Sequence, residues 1–104
     1  VRKGEGLSVE RRKDYDYKSL AYRFSGRKME PFLITVPAKE PAAMTLVSHS
    51  GQEFIHVLEG RLELRLGDEI LELEPGDSLY FDSQTPHALR GLDGKQAVFL
   101  DVIL

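Results

Sequence analysis

The sequence predicts an all-β protein, a sandwich or barrel built from many short strands. Three observations lead to this prediction. Short apolar or alternating runs recur at intervals of about 8–12 residues, and turn signals rich in glycine and proline separate them. No run longer than about ten residues shows helical periodicity. There is no internal repeat and no low-complexity tract, which favours a single folding unit.

The strand-like segments follow one another along the whole chain. In order they read LSVE, LAYRF, FLITV, MTLVS, EFIHVLEG, RLELRL, EILELE, SLYF, HALR and QAVFLDVIL. RLELRL alternates strictly, so its three leucines share one face and its charged residues share the other. Gly67 and Asp68 predict a two-residue hairpin turn. The PGD at 75–77 suits a type II turn in which Gly76 adopts a positive φ.

Length and composition limit the class of protein. At 104 residues the chain is long enough for one domain, 1–104, with a single core. The absence of cysteine excludes disulfides and thiolate metal ligands, and fits a reducing, cytoplasmic location. No stretch approaches the ~18 apolar residues that span a bilayer, and no secretory leader opens the chain, so we expect no membrane association. Because the first residue is Val1, we expect the chain to be a processed product, to begin with a tag remnant or to be an excised domain.

Charge is spread unevenly along the chain. Residues 1–30 carry nine Lys/Arg and five Asp/Glu, whereas residues 31–104 carry five and twelve. A basic leading segment is a candidate nucleic-acid contact. The stretch RRKDYDYK interleaves acids with bases, however, which favours a solvated surface. Nothing resembles a helix-turn-helix, so we expect no direct nucleic-acid binding by this domain.

The stretch HSGQEFIHVLEG contains two of the three histidines, and Glu53 follows His49 by four residues. A helix would place these two side chains on one face, but Gly51 lies between them and β-like runs flank them. Taken alone, they are most simply exposed residues at a strand end. The remaining interpretation is that both point into the barrel.

Strand alternation indicates which side chains of EFIHVLEG face inward. Glu53 shares a face with Ile55 and Val57, which are good core residues, and His56 lies on the opposite face. A carboxylate at the mouth of an apolar interior is costly unless it is paired, hydrogen-bonded or bound to metal. We therefore predict that Glu53 points inward and exclude His56 as a ligand. The partly apolar face around His56 is expected to pack against the leading strands or a second subunit.

The third histidine completes a set of ligand types. His87 follows Pro86 and precedes the strand-like HALR. Two histidines and one carboxylate form the facial triad of non-haem iron sites, which leaves coordination positions open. The sequence therefore predicts a metal site formed by His49, Glu53 and His87.

The stretch HSGQEFIHVLEGRLEL resembles the first motif of the cupin superfamily. That motif reads His-x-His, three or four residues, Glu, and then six residues to a Gly. His49 matches the second histidine, Glu53 the acid and Gly60 the glycine. Val47 stands where the first histidine belongs, so this chain offers three of the usual four ligands.

The stretch LEPGDSLYFDSQTPHAL resembles the second cupin motif, with Gly76 and His87 at the glycine and histidine of that motif. The match covers residues 45–104, and residues 1–44 are interpreted as leading strands and loops. The resemblance implies a small jelly-roll β-barrel, the double-stranded β-helix of the cupins. It also implies a small-molecule ligand and a homodimer.

The resemblance leaves the function open. Four-ligand cupins commonly hold iron, manganese, nickel or zinc, so a divalent transition metal of this group is implied here. The same three-ligand set occurs in the fosfomycin-type hydroxypropylphosphonate epoxidases, which are iron enzymes. Similar patterns occur in the C-terminal cupin domains of helix-turn-helix transcription regulators, where the barrel is thought to sense a small ligand.

Three function hypotheses follow. The first is a small-molecule-binding or sensory module, with or without a metal ion, that forms the effector part of a longer regulator. The second is an Fe(II)-type non-haem oxygenase or epoxidase that uses the triad. The third is a structural or dimerisation domain that binds nothing. The candidate cavity residues are Val47, Gln52, Tyr80 and Tyr22.

Overall fold

The computed structural model describes residues 1–12 and 15–104, and the side chains of all of these except residues 9–12. Within this part of the chain nine strands form two sheets, and a 3-10 turn spans Pro41–Ala43. The strands are β1 (Leu7–Arg12), β2 (Tyr15–Ser19), β3 (Glu30–Val36), β4 (Gln52–Glu59), β5 (Leu62–Leu66), β6 (Glu69–Leu73), β7 (Ser78–Asp82), β8 (His87–Gly91) and β9 (Ala97–Ile103).

The two sheets form the jelly roll that the sequence predicted. The larger has the order β1-β2-β3-β9-β4-β7 and the smaller the order β6-β5-β8, with antiparallel pairing between the named strands. Their inward faces supply one core, and alternate residues of β3, β4 and β9 are buried in it. The core cluster comprises Tyr15, Tyr17, Phe32, Ile34, Val36, Ile55, Val57, Leu62, Leu64, Phe81, Leu89, Ala97 and Phe99.

The hairpin of the smaller sheet follows its predicted alternation. Leu62 and Leu64 are fully buried, and Gly67 adopts a φ of 59° in the turn between β5 and β6. The opposite face of β5 carries Glu63, which is also buried. It accepts two hydrogen bonds from the Arg90 guanidinium, at 2.9 and 3.0 Å. The pairing satisfies a carboxylate that would otherwise be costly to bury.

Two of the predicted strands are wrong. LAYRF, residues 20–24, lies in the loop after β2, and MTLVS forms only an isolated bridge at Val47. Instead, β2 begins within the charged stretch RRKDYDYK, which was interpreted as a solvated surface. In β2 the rings of Tyr15 and Tyr17 are buried, while Asp16 is exposed. Lys13 and Asp14, in the same stretch, lie outside the described residues.

The hydroxyl of Tyr15 completes the hydrogen bonding of β8. β8 pairs with β5 on one side, and on the other side it has bridges at His87 and at Gly91. Between them, the Tyr15 hydroxyl donates to the Leu89 carbonyl at 2.7 Å and accepts from the Leu89 N–H at 3.1 Å. One side chain therefore takes the place of a neighbouring strand at this point.

Removal of this hydroxyl is expected to destabilise the protein. Tyr15→Phe keeps the buried ring but leaves the N–H and carbonyl of Leu89 without these bonds, so the free energy of unfolding should fall by about 1–3 kcal/mol. Tyr80→Phe is the matched control. Tyr80 is exposed, so loss of its hydroxyl should lower the free energy of unfolding by less than about 0.5 kcal/mol. Urea denaturation of both variants tests this, and equal midpoints would contradict it.

The outward face of β4 bears out the predicted alternation. Phe54 and His56 are half-buried and Leu58 is 47% exposed, whereas the intervening residues are buried. The leading strands do not cover this face, because β1, β2 and β3 lie side by side in the same sheet as β4. The expected packing against those strands is therefore wrong. Among the described residues there is no helix long and apolar enough to cross a membrane.

Candidate metal centre

Three segments that are distant in sequence bring the predicted ligands together. His49 lies in the loop before β4, Glu53 near the start of β4, and His87 at the start of β8. Glu53 faces inward on β4 opposite Phe81 of β7. The ligand-type atoms of the three side chains all lie within 4.8 Å of one another. They therefore form a cluster that could hold a metal ion.

Gly51 forms the turn that brings the side chain of His49 close to that of Glu53. Its φ is 102°, which favours glycine, and a Cβ there would lie 1.9 Å from the carbonyl oxygen of Leu104. Ser83 fastens the same loop, because its carbonyl accepts from the His49 N–H and its own N–H donates to the Gly51 carbonyl, both at 3.0 Å. The four-residue spacing of His49 and Glu53 is thus met without a helix, as predicted.

Two short distances join the carboxylate to the two imidazoles. The Oε2 atom of Glu53 lies 3.0 Å from Nε2 of His49 and 3.2 Å from Nε2 of His87. Ligand atoms of one metal ion, each about 2.1 Å from it, lie at separations of this order. The donor set, two histidines and one carboxylate, is that of a facial triad.

Both imidazole rings are oriented by backbone carbonyls. Nδ1 of His49 lies 3.0 Å from the carbonyl oxygen of Ser50, and Nδ1 of His87 lies 2.8 Å from that of Thr85. Because a carbonyl only accepts, each Nδ1 carries the hydrogen, and Nε2 is the atom that faces Glu53. Without a metal, a protonated Nε2 donates to the carboxylate; the neutral ring offers the Nε2 lone pair to a metal ion. This arrangement is typical of metal-binding histidines.

The site is buried on one side and open on the other. The side chains of Glu53 and His87 are 5% and 3% exposed, whereas that of His49 is 38% exposed. The His87 ring packs against Phe81, with 5.0 Å between ring centroids. The cluster therefore contacts solvent on the side of His49, while Glu53 and His87 are enclosed by the core.

Glu53 is held in its ionised form by its neighbours. Burial alone would raise the pKa of this carboxyl, but hydrogen bonds from His87, Asp101 and Ser83, together with the charge of His87, lower it below its ordinary value of 4.5. The Ser83 hydroxyl donates to Oε2 at 3.0 Å. An ionised carboxylate is the form that a metal ion requires.

This lowered pKa predicts an acid-dependent loss of stability in the metal-free protein. A carboxyl whose pKa is lower in the folded state contributes stability that is complete above its unfolded pKa and is lost as the pH falls through the folded value. The stability difference between wild type and Glu53→Gln should therefore be constant just above pH 4.5 and shrink below it. Chemical denaturation with a chelator present measures both proteins, and a difference that grows on acidification would contradict the assignment.

Val47 lies where the missing fourth ligand would be. It forms an isolated antiparallel bridge with His87, and each residue's N–H donates to the other's carbonyl at 2.9 Å. Side chains directly opposite in such a pair lie on the same face of the sheet. Val47 therefore faces the same side as His87 and is half-buried there.

The other predicted cavity residues lie elsewhere. Tyr80 is 61% exposed and pairs with Phe54 on the outward face, where its hydroxyl donates to the side-chain carbonyl oxygen of Gln52. Phe81 occupies the inward position instead, one residue from the prediction. Tyr22 lies in the loop between β2 and β3, where its hydroxyl accepts a hydrogen bond from Arg23 at 3.1 Å.

The sequence did not predict two buried polar residues next to Glu53. Ser83 is fully buried although it lies in the loop DSQTP, and Asp101 is 3% exposed within the apolar run of β9. A carboxylate inside QAVFLDVIL was the available signal, because an acid at an inward position of a buried strand requires a partner. Which partner it has depends on strand pairing that periodicity alone does not give.

Comparison with protein families decides the class to which this barrel belongs. The model of the cupin domain family matches residues 32–103. The chain is a cupin. The matched region contains both motifs and all three residues of the cluster. Comparison with curated proteins gave no match.

Solved structures extend the likeness of this cupin over the whole chain. Hydroxypropylphosphonic acid epoxidase from S. wedmorenis matches with a TM-score of 0.87 and 25% identity, over 100% of this chain and 58% of the epoxidase. Its Fe(II) form with an alternative substrate gives a TM-score of 0.85 at 24% identity, over 100% and 58%. An HTH_3 family transcriptional regulator from Vibrio cholerae gives a TM-score of 0.71 at 25% identity, over 86% of this chain and 50% of the regulator. The cupin thus spans 50–58% of the length of these proteins.

Proposed function

We propose that this cupin holds one divalent transition-metal ion on His49, Glu53 and His87. One observation carries the proposal: the two Nε2 atoms converge on Oε2 of Glu53 at 3.0 and 3.2 Å while both Nδ1 atoms are fixed by backbone carbonyls. Histidine and carboxylate donors suit iron, zinc, nickel and manganese alike, so the ion is one of these four.

The function that this site supports best is small-molecule binding in a sensory or effector domain. Three protein ligands leave octahedral positions open, and the exposed edge of His49 gives access to them. A small molecule with oxygen donors would bind there, next to the ion. The likeness to half of a transcriptional regulator supports an effector role in a longer protein, whose DNA contacts would belong to another part.

Binding at the open positions is testable with Co(II) as a spectroscopic probe and oxalate as a bidentate oxygen donor. Co(II) bound to the cluster should show visible absorption bands, and addition of oxalate should change them, because a new ligand alters the coordination of the ion. Glu53→Gln, which lacks the carboxylate ligand, should show neither effect. Bands that oxalate leaves unchanged would mean that the open positions are covered.

An oxidative enzyme is the second candidate. It is supported by the likeness to hydroxypropylphosphonic acid epoxidase over the full length of this chain. A bound Fe(II) would supply the redox chemistry, while the triad holds the ion and the buried wall formed by Phe81 and His87 keeps water from one side. Oxygen uptake by the Fe(II)-loaded protein with hydroxypropylphosphonate as substrate, compared with Glu53→Gln, tests this candidate. Equal uptake by both proteins would contradict it.

We also propose a cytoplasmic homodimer that forms through the outward face of β4, with residues 1–104 as one domain. Phe54 and His56 are half-buried there and Leu58 is 47% exposed, which gives an apolar surface suited to a second copy. Leu58→Lys should shift the molecular mass from light scattering to that of a monomer. Ile70→Lys, at a 60% exposed position of the other sheet, should leave it unchanged. A wild-type monomer at high concentration would contradict the dimer.

A further inference from the structure

A second carboxyl group lies buried behind the proposed metal ligands. Asp101 is 3% exposed, on the inward face of β9. The strand registers place it directly opposite Phe32 of β3 and Ile55 of β4, and both of these side chains belong to the apolar core. An acid in such surroundings is costly unless it is hydrogen-bonded. The proposed metal site leaves it without an assigned role.

The partner of this acid is Glu53. In the pairing of β4 with β9, Glu53 lies opposite Ile103 and Ile55 lies opposite Asp101, so the two acids are diagonal neighbours on one face. Such neighbours are within reach of long side chains. A side-chain hydrogen bond with Asp101 is among the causes that lower the pKa of Glu53, which agrees with this register. Because ionised carboxylates only accept, a hydrogen bond between the two groups requires one of them to carry a proton.

We propose that Asp101 is a positioning residue for the metal centre, and that its hydrogen bond fixes the Glu53 rotamer in which Oε2 faces both histidines. The inference rests on the proposed metal-binding function. Glu53 is the central ligand, since its Oε2 atom is the point on which both Nε2 atoms converge. Ser83 holds that same oxygen from the loop, and Asp101 holds the carboxyl from β9. Outer partners of this kind typically change metal affinity by about 10–100-fold.

Two substitutions of similar size distinguish the effect of the hydrogen bond on metal affinity from the effect of packing. Asp101→Asn keeps a donor toward Glu53, whereas Asp101→Leu fills the space without one. The leucine variant should bind Co(II) about 10–100-fold more weakly, while its metal-free melting temperature is unchanged or higher, because an apolar side chain suits this part of the core. The asparagine variant should bind within about threefold of wild type. If Asp101 served only for packing, its replacement would not lower the Co(II) affinity without also lowering the melting temperature.

A control at the far end of the same sheet excludes a general loss of stability. Val36 is fully buried and pairs with Ala97, whereas Asp101 and Ile103 lie toward the other end of β9. Val36→Ala should lower the melting temperature and leave Co(II) affinity unchanged. If it weakens binding as much as Asp101→Leu does, the positioning role is wrong.

Competition titrations of Co(II) against a chelator give the affinities and distinguish the two proposals. Wild type that binds no Co(II) would refute the metal site itself. Wild type that binds, together with an Asp101→Leu variant of equal affinity, would overturn only the role of Asp101. An asparagine variant as weak as the leucine variant would also overturn it. If the leucine variant does not fold, Asp101→Ala replaces it, and wild-type affinity of that variant has the same meaning.

Discussion

Val47→His is expected to tighten metal binding by at least about tenfold. Residues that only hydrogen-bond to a metal ligand already change affinity by about 10–100-fold, and a direct ligand should do no less. Val47 lies directly opposite His87 in a hydrogen-bonded antiparallel pair and is half-buried. A histidine here shares the face of His87 and adds a third nitrogen donor, the fourth ligand of the cluster. The substitution therefore rebuilds the four-ligand set of the cupin motif from the three ligands that this chain has.

The matched control is Val47→Ala, which removes apolar bulk without adding a ligand and should leave affinity nearly unchanged. Titration of wild type and both variants with Fe(II), Zn(II) and Ni(II) measures the effect. If Val47→His binds none of the three ions better than wild type, residue 47 does not reach the site. If the vacant position serves oxygen or substrate, the histidine variant should also lose activity while it holds metal more tightly. That pair of results would favour the enzyme over the sensor.

His87→Asn is expected to lower metal affinity by at least about a hundredfold, since it removes a direct ligand and even outer partners contribute about 10–100-fold. The His87 ring is almost fully buried, and its Nε2 atom lies 3.2 Å from Oε2 of Glu53. Asparagine is too short to place a donor atom there. It also loses the ring contact with Phe81, so a lower melting temperature is expected as well.

His56→Asn makes the same chemical change on the outward face of β4. His56 is half-buried, and its Nδ1 atom lies 2.7 Å from the Ser78 hydroxyl. This variant should bind metal as wild type does. Isothermal titration with Co(II) compares the two asparagine variants with wild type. If His56→Asn weakens binding as much as His87→Asn, the assignment of faces along β4 is wrong.

Alternation within single strands predicted much of the fold and the cluster. The two-residue period of EFIHVLEG placed Glu53 inward and His56 outward, and the structure has both where they were predicted. The period applies because one face of β4 is buried and the other is not. Residues near Glu53 in sequence could therefore be assigned to a face without knowledge of the partner strands.

What the sequence could not predict depends on pairing between distant strands. Asp101 meets Glu53 only because β9 lies beside β4, 48 positions further along the chain by residue number. Tyr15 reaches Leu89, which lies 74 positions further along the chain and in the other sheet, only because the two sheets pack together. A shift of one residue in the expected register was enough to exchange the faces of Tyr80 and Phe81.

The charged stretch at the start of the chain was misjudged for a related reason. The charges of RRKDYDYK indicate solvent, but a strand needs only every second residue to be apolar. In β2 the two tyrosines meet that requirement, with rings stacked 6.0 Å apart inside the barrel. Asp16, which lies between them, is exposed, and Lys18 is half-buried.

Metal content tests the central claim most directly. Wild type and the triple variant His49→Ala, Glu53→Ala, His87→Ala would be incubated anaerobically with Fe(II), freed of unbound ion by gel filtration and measured by plasma mass spectrometry. We expect about one ion per wild-type chain and almost none in the variant, as a single three-ligand site requires. Circular dichroism of the triple variant confirms that it is folded. Wild type that retains no more iron than the folded triple variant would contradict the metal site.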